Sequence, residues 1–350
     1  ERARRALRPG GVLAIWSDVL QRPADAIGMD DDFFELGGHS LLAVRIITRV
    51  KQRSGKQVPL SWLIRAPTIA RFAALWTSED AAAPDGIVVP IAPGGASPAI
   101  FAVPGAGGYV MSMTDVSRAI GPERAFYGLQ AVGLDGRAPP LESVEATAKA
   151  NILAMKSVQA SGPYHLLGHS YGGVVAYEMA RQLAAAGERV GWLVLLDAAV
   201  PRLVHDPAAD GGGDDDDAIL LGQVIAGLVR SAEASSPRHA DPIDVEAAIG
   251  VLRSEGIELD RAQIDAIMAV LKANLRCYRR YRPEPMPIDF PVHLYRAIRE
   301  SGRDWPEDHG WSEFLPTPPS LHAVDADHFS MLDGPHAAGI ARSLPGVSAD

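Results

Sequence analysis

The sequence predicts a small all-α bundle followed by a larger α/β domain with a mostly parallel sheet and an inserted helical block. Three observations carry that expectation. Residues 11–77 place apolar side chains at helical spacing between turn signals. From residue 87 onward, short apolar runs alternate with helical stretches, as strands buried on both faces do in a parallel sheet. Between the two, residues 78–86 have linker composition and reach roughly 30 Å when fully extended. A chain of 350 residues is long enough for two or three cores.

The elements follow in order. Residues 1–10 read as a linker. Leu13, Ile15, Trp16, Val19 and Leu20 recur at helical spacing. A loop over 21–38 leads to a helix from about Ser40 to Ser54, with Leu41, Val44, Ile47 and Val50 on one face and Gly55 as its stop. A short helix is expected at 60–64. Thr68, after Pro67, is placed to cap a last helix through Ile69, Phe72, Ala73 and Trp76. Strands are expected at 87–89, 99–103, 164–167, 192–196, 291–295 and 321–324, with a helix at 174–186. Residues 200–285 interrupt the alternation. The run Gly211-Gly212-Gly213-Asp214-Asp215-Asp216-Asp217 predicts a mobile, solvated loop, and helical stretches follow near 218–230, 243–254 and 261–281. A helical block inserted between two strands reads as a lid.

Composition narrows the functions. A net charge of −10 argues against a nucleic-acid partner, whose affinity rests on Lys and Arg meeting phosphates. The single Cys277 cannot form an internal disulfide, which fits a reducing, cytoplasmic setting. No apolar run is long enough to span a bilayer. The basic start Glu1-Arg2-Ala3-Arg4-Arg5 leads into too short an apolar stretch for a secretory signal. The chain does not begin with Met, so it is expected to be a piece of something longer. No His, Cys and carboxylate spacing suggests a metal site.

Two serines carry chemistry. Ser40 lies in Asp32-Phe33-Phe34-Glu35-Leu36-Gly37-Gly38-His39-Ser40-Leu41-Leu42 and would open a helix. A phosphodiester there would meet free backbone N–H groups and the positive end of the helix dipole. Gly37 and Gly38 permit a tight approach, and Phe33, Phe34 and Leu36 are apolar residues that would pin the loop to a core. Ser170 lies in Gly168-His169-Ser170-Tyr171-Gly172, between an expected strand and an expected helix. That turn projects the serine oxygen out of the sheet, and a side chain at Gly168 or Gly172 would clash where strand and helix pack.

A serine hydroxyl needs a base, and the base needs an orienting acid. In strand–Ser–helix hydrolases the chain order is Ser, then Asp or Glu, then His. His328, in Asp327-His328-Phe329-Ser330 near the end of the chain, is the expected base. His165, His293 and His322 fall within expected strands. His169 is the variable residue of the turn, and His205, His239 and His309 lie in polar stretches. For the acid, Asp197 directly follows the 192–196 strand, and Asp304, after the 291–295 strand, is its rival; Asp325 and Asp327 look like surface loop residues. An oxyanion hole needs two backbone donors. The N–H of Tyr171, after the nucleophile, is one, and the Gly-rich loop Val103-Pro104-Gly105-Ala106-Gly107-Gly108 is the natural source of the other. It is not a phosphate loop, because no Lys-Ser or Lys-Thr follows. Cys277, in an expected lid helix, reads as structural.

Residues 11–77 resemble a peptidyl carrier protein of a nonribosomal peptide synthetase. Residues 87–345 resemble a type I thioesterase domain from the same machinery, an α/β-hydrolase with its lid at about 200–285. The resemblance implies a covalent 4′-phosphopantetheine on Ser40, catalysis by Ser170, Asp197 and His328, and oxyanion donors at Ala106 and Tyr171. The Leu195-Leu196-Asp197 context favours Asp197 as the acid. Ala326 stands where the family has glycine before Asp327-His328-Phe329. In that family His39 is typical of carriers that serve condensation or thioesterase domains. The implied function is terminal offloading of a peptidyl thioester, by hydrolysis or macrocyclisation. The implied partners are upstream condensation and adenylation domains, a phosphopantetheinyl transferase and the peptidyl substrate, for a didomain that is itself monomeric. Two other readings remain open: a carrier with a silent hydrolase-fold docking scaffold, and an editing thioesterase.

Overall fold

The computed structural model describes residues 8–38, 40–55, 58, 61–77, 86–95, 98–204, 245–254, 259, 261–287, 289–299 and 305–346. The expected helix at 218–230, the aspartate run 214–217, most of the linker 78–86, and His39, His205, His239 and Asp304 lie outside the described residues.

The first unit is helical. Helix α1 (Pro9–Leu20) begins with proline at the position where a missing N–H costs nothing. Residues 9 and 10 therefore belong to this helix and not to a linker. It buries Val12, Ile15, Trp16 and Val19. Helix α2 (Ser40–Ser54) stops at Gly55, whose φ of +71° suits glycine. Its buried stripe is Ala43, Ile46 and Val50, while Val44 and Ile47 are only half-buried. The apolar face is thus turned by one residue from the expected one. Helix α3 (Ser61–Arg65) lies one residue later than expected. Helix α4 (Ile69–Thr77) is capped by Thr68, whose Oγ1 accepts the Arg71 N–H at 3.2 Å. The loop before α2 is pinned as its apolar residues suggest. Phe33 is fully buried edge-on to Trp16, and its N–H donates to the Pro67 carbonyl at 2.7 Å.

The second unit is an α/β fold. Its strands are β1 (Val88–Ala92), β2 (Ile100–Val103), β3 (Phe126–Leu129), β4 (Tyr164–His169), β5 (Val190–Leu196), β6 (Val292–Ala297) and β7 (Ser320–Val324). They form one sheet in the order β1-β3-β2-β4-β5-β6-β7. Only β1 runs antiparallel, at the edge, where Pro90 and a register shift are tolerated. Helices α5 (Thr114–Ile120), α6 (Val144–Lys156) and α7 (Tyr171–Ala185) follow β2, β3 and β4. In chain order there follow α8 (Pro201–Val204), α9 (Val245–Ser254), which groups with the first unit, α10 (Arg261–Arg280), whose part from Ala269 on belongs to the second, and α11 (Gly334–Ser343). Strand β3 and helices α5 and α6 have no counterpart in the sequence reading; in β3 (Phe-Tyr-Gly-Leu) Gly128 interrupts the apolar run. Side chains of β2, β4 and β5 alternate between two cores. Phe101, Leu166 and Leu193 face the α7 side, and Ile100, Leu167 and Val194 face the α11 side. All the parallel strands end on one edge of the sheet, where α/β folds place their sites.

Candidate active site and carrier loop

The turn from β4 into α7 is built by clashes that only glycine avoids. A Cβ on Gly168 would sit 2.2 Å from the Gly172 carbonyl oxygen, and one on Gly172 would sit 2.3 Å from the carbonyl oxygens of both Val103 and Pro104. Helix α7 therefore starts directly against the ends of β4 and β2. The cost appears at Ser170, whose φ of 55° and ψ of −126° lie where an L-residue is strained by roughly 1–3 kcal/mol. Its N–H donates to the Leu196 carbonyl at 2.9 Å, tying it to the end of β5. Ser170 is half-buried, at the start of a buried helix.

One strand over, Asp197 takes a left-handed backbone (φ 43°) and donates its N–H to the Tyr295 carbonyl at 2.7 Å. Its side chain turns back over the sheet edge. Oδ1 accepts the Ala297 N–H at 3.0 Å, and Oδ2 meets His328 Nδ1 at 2.6 Å. Burial alone would raise this carboxyl, but the hydrogen bonds from His328 and Ala297 outweigh it and hold Asp197 below the ordinary carboxylate range. The residues after Asp197 are fixed from several sides. Trp311 Nε1 donates to the Ala198 carbonyl, Tyr278 Oη to that of Ala199, and Val200 N–H to that of His309.

His328 lies in the loop after β7. Asp327 caps the turn that follows, its Oδ1 accepting the N–H groups of Phe329 and Ser330. Its Nδ1 is engaged by Asp197, which fixes the orientation of the ring. His169 holds this loop to the nucleophile turn, a role its place as the variable residue did not suggest. Its Nε2 donates to the His328 carbonyl at 2.8 Å, with the two rings 4.7 Å apart. Burial and the neighbouring His328 push His169 down to about 3, so it stays neutral in ordinary buffers. The remaining strand histidines pack away from this edge: His165 stacks on Trp192, and His293 bonds His322 at 3.1 Å. Asp325 is exposed and paired with Arg299.

The loop after β2 turns tightly, with Gly108 N–H donating to the Gly105 carbonyl at 2.9 Å. A Cβ on Gly105 would stand 3.7 Å from Ser170 Cβ, so the turn that contains Ala106 begins beside the nucleophile. Together these elements present a hydroxyl, an imidazole–carboxylate pair and two backbone segments at one sheet edge, a set suited to acyl transfer.

In the helical unit, Ser40 is the first residue of the 15-residue helix α2. Gly37 before it has φ +92° and open space where a Cβ would be, whereas Gly38 packs its backbone on Phe33. A helix start two residues after a pair of glycines fits a covalently attached phosphodiester. Among the described residues no group of three potential metal ligands occurs, and no helix is long and apolar enough to cross a membrane.

Comparison with known proteins agrees with both halves. The phosphopantetheine attachment site model matches residues 11–76, and the thioesterase domain model matches 98–346. The chain is 30% identical over 329 residues to indigoidine synthase of Streptomyces lavendulae, covering 92% of this chain and 25% of that protein. It is 34% identical over 245 residues to a dimodular nonribosomal peptide synthase of Bacillus subtilis, covering 70% of this chain and 10% of that protein. The chain thus spans a quarter or less of these relatives. Among solved structures, a four-domain nonribosomal peptide synthetase aligns with a TM-score of 0.65 at 24% identity, covering 94% of this chain and 25% of that one. The Vlm2 thioesterase domain aligns at 0.55 and 23%, covering 73% of this chain and 95% of that one. With a helical phosphopantetheine attachment domain ahead of an α/β-hydrolase fold, this chain belongs to the thioesterase domain family.

Proposed function

We propose that this chain releases a peptidyl or other acyl group from its own carrier domain through an acyl-enzyme on Ser170. The observation that carries the reading is the 2.6 Å pairing of His328 with a buried, ionised Asp197, one strand over from the strained turn that bears Ser170.

Ser40 is the residue that would hold the arm, after modification by a phosphopantetheinyl transferase. When attached, phosphopantetheine supplies a thiol that carries the acyl group as a thioester. Ser170 Oγ forms a bond to the thioester carbonyl carbon as its proton passes to His328 Nε2. Asp197 holds His328 in the tautomer with Nδ1–H and stabilises the imidazolium. The N–H groups of Ala106 and Tyr171 receive the developing oxyanion. Collapse breaks the C–S bond, and His328 returns the proton to sulfur. Water, or an amine or hydroxyl of the acyl chain itself, then adds to the Ser170 ester while His328 takes its proton; the C–O bond to Ser170 breaks as His328 gives that proton to Ser170 Oγ, which restores the free serine. The outcome is hydrolysis or macrocyclisation. The condensation and adenylation domains of a synthetase would supply the acyl chain.

The test is intact-mass analysis after loading Ser40 with an acyl-pantetheine. The unaltered chain should lose the acyl mass, Ser170→Ala should retain it, and the released mass separates acid from macrocycle. Equal retention by both chains for every acyl group tried would favour a silent docking scaffold.

A further inference from the structure

We propose that Asn274 of α10 is a positioning residue for the turn that supplies the Ala106 oxyanion donor. The inference rests on the reading that this donor is used. In the turn from Gly105 to Gly108, the Gly105 carbonyl and Gly108 N–H bond each other, and the Gly108 carbonyl accepts the Ala131 N–H at 3.1 Å. The Ala106 carbonyl has a different partner, the Asn274 side-chain amide, whose Nδ2 donates to it at 2.8 Å. A carbonyl only accepts, so the amide must present its nitrogen there. The Ala106 carbonyl belongs to the central peptide of this turn, so the Asn274 bond holds that peptide against flipping; with the Gly105 carbonyl bound to Gly108 N–H, it keeps in one geometry the turn whose first peptide carries the Ala106 N–H.

Part of the turn's back opens on a cavity lined by Gly105, Gly108, Thr147, Asn151, Tyr171 and Asn274. Asn274 is 5% exposed, a polar side chain buried in a helix, where an amide needs a partner. It also belongs to a row of donors. Asn274, Tyr278 and Tyr281 follow at helical spacing, and the two tyrosines donate to the Ala199 carbonyl beyond Asp197 and to Glu178 Oε2 on α7. One face of this segment thus ties down the oxyanion turn, the acid loop and the nucleophile helix. Asn274 is the member that reaches the oxyanion side.

Four chains decide it: the unaltered protein, Asn274→Leu, Asn274→Gln and Ala106→Pro. Proline removes the 106 N–H at the second position of a turn, where its ring is tolerated. The readouts are p-nitrophenyl butyrate hydrolysis, split into kcat and KM, and affinity for phenylboronic acid, which forms a tetrahedral adduct on the nucleophile. The expected result is a 10- to 100-fold loss of kcat in Asn274→Leu with KM within about twofold. Boronate affinity should weaken by a similar factor, and Asn274→Gln should recover part of both. Lost kcat with unchanged boronate affinity overturns the positioning role, because the oxyanion geometry would then be intact. An impaired Ala106→Pro beside an unaffected Asn274→Leu overturns the proposal alone. An unaffected Ala106→Pro overturns the oxyanion reading beneath it. Should Asn274→Leu not fold, Asn274→Asp replaces the donating NH₂ with oxygen at nearly equal volume and is read by the same criteria.

Discussion

The two carboxylate oxygens of Asp197 have separate partners. Oδ1 is held by the Ala297 N–H, and Oδ2 holds His328. Asp197→Asn keeps the shape but allows the amide to face His328 with a donor, stabilising the wrong tautomer. We predict a loss of kcat of roughly 10⁴-fold, the scale seen when a serine hydrolase loses this charge, with little change in melting temperature. Steady-state kinetics beside a thermal melt check it; a loss below tenfold would remove Asp197 from the role. This residue was legible in the sequence because a carboxylate directly after a strand falls at the sheet's carboxyl edge. His328 was legible because a polar loop near the chain end follows a strand-like run. Asn274 and His169 were not legible. Their partners are backbone carbonyls, Ala106 and His328, and a carbonyl leaves no mark in a sequence. The faint signal for Asn274 was an amide among apolar helix neighbours.

At the scale of elements, close packing decides what each glycine is for. Gly172 lies where a Cβ would meet at 2.3 Å the carbonyl oxygens of Val103, the last residue of β2, and of Pro104, both backbone atoms. Gly172→Ala should destabilise the thioesterase fold by about 3 kcal/mol or more. Gly339, inside α11, is exposed, with nothing within 4 Å of an added Cβ. Gly339→Ala should stabilise by about 0.5–1 kcal/mol through helix propensity alone. Denaturant melts of both variants test the contrast; a mild Gly172→Ala would mean α7 is not seated as described. The same packing explains which elements the sequence disclosed. Strands β4 and β5 are long and apolar, so they stood out. Strand β3 reads Phe-Tyr-Gly-Leu, and Gly128, packed against Val110, breaks the apolar run that disclosed the equally short β2. The α2 stripe was misjudged by one residue because Val44 and Ile47 are as apolar as Ile46, so the period did not distinguish the faces.

For the molecule as a whole, buried neutral histidines set a pH limit. Burial, aided by the Arg124 charge, lowers His165 to about 4, and burial with the His328 charge lowers His169 to about 3. In the unfolded chain both titrate near 6.5, so below that pH the unfolded state binds protons that the native state refuses. Stability of the thioesterase fold should therefore be full above pH 6.5 and fall as pH drops toward 4, by a few kcal/mol. His165→Phe, which keeps an aromatic face for Trp192, should flatten that fall in melts from pH 8 to pH 4. An unchanged slope would mean that His165 is protonated in the native state. The link between the two serines is the claim at this scale, and it has a direct measurement. The chain is loaded at Ser40 with an acyl-pantetheine, quenched in acid at successive times and digested. Peptide mass mapping then follows the acyl group. It should leave the Ser40 peptide, appear as an ester on the Ser170 peptide, and only then be lost as product. Release with no acyl mass on Ser170 at any time, at an equal rate in Ser170→Ala, would contradict the acyl-enzyme.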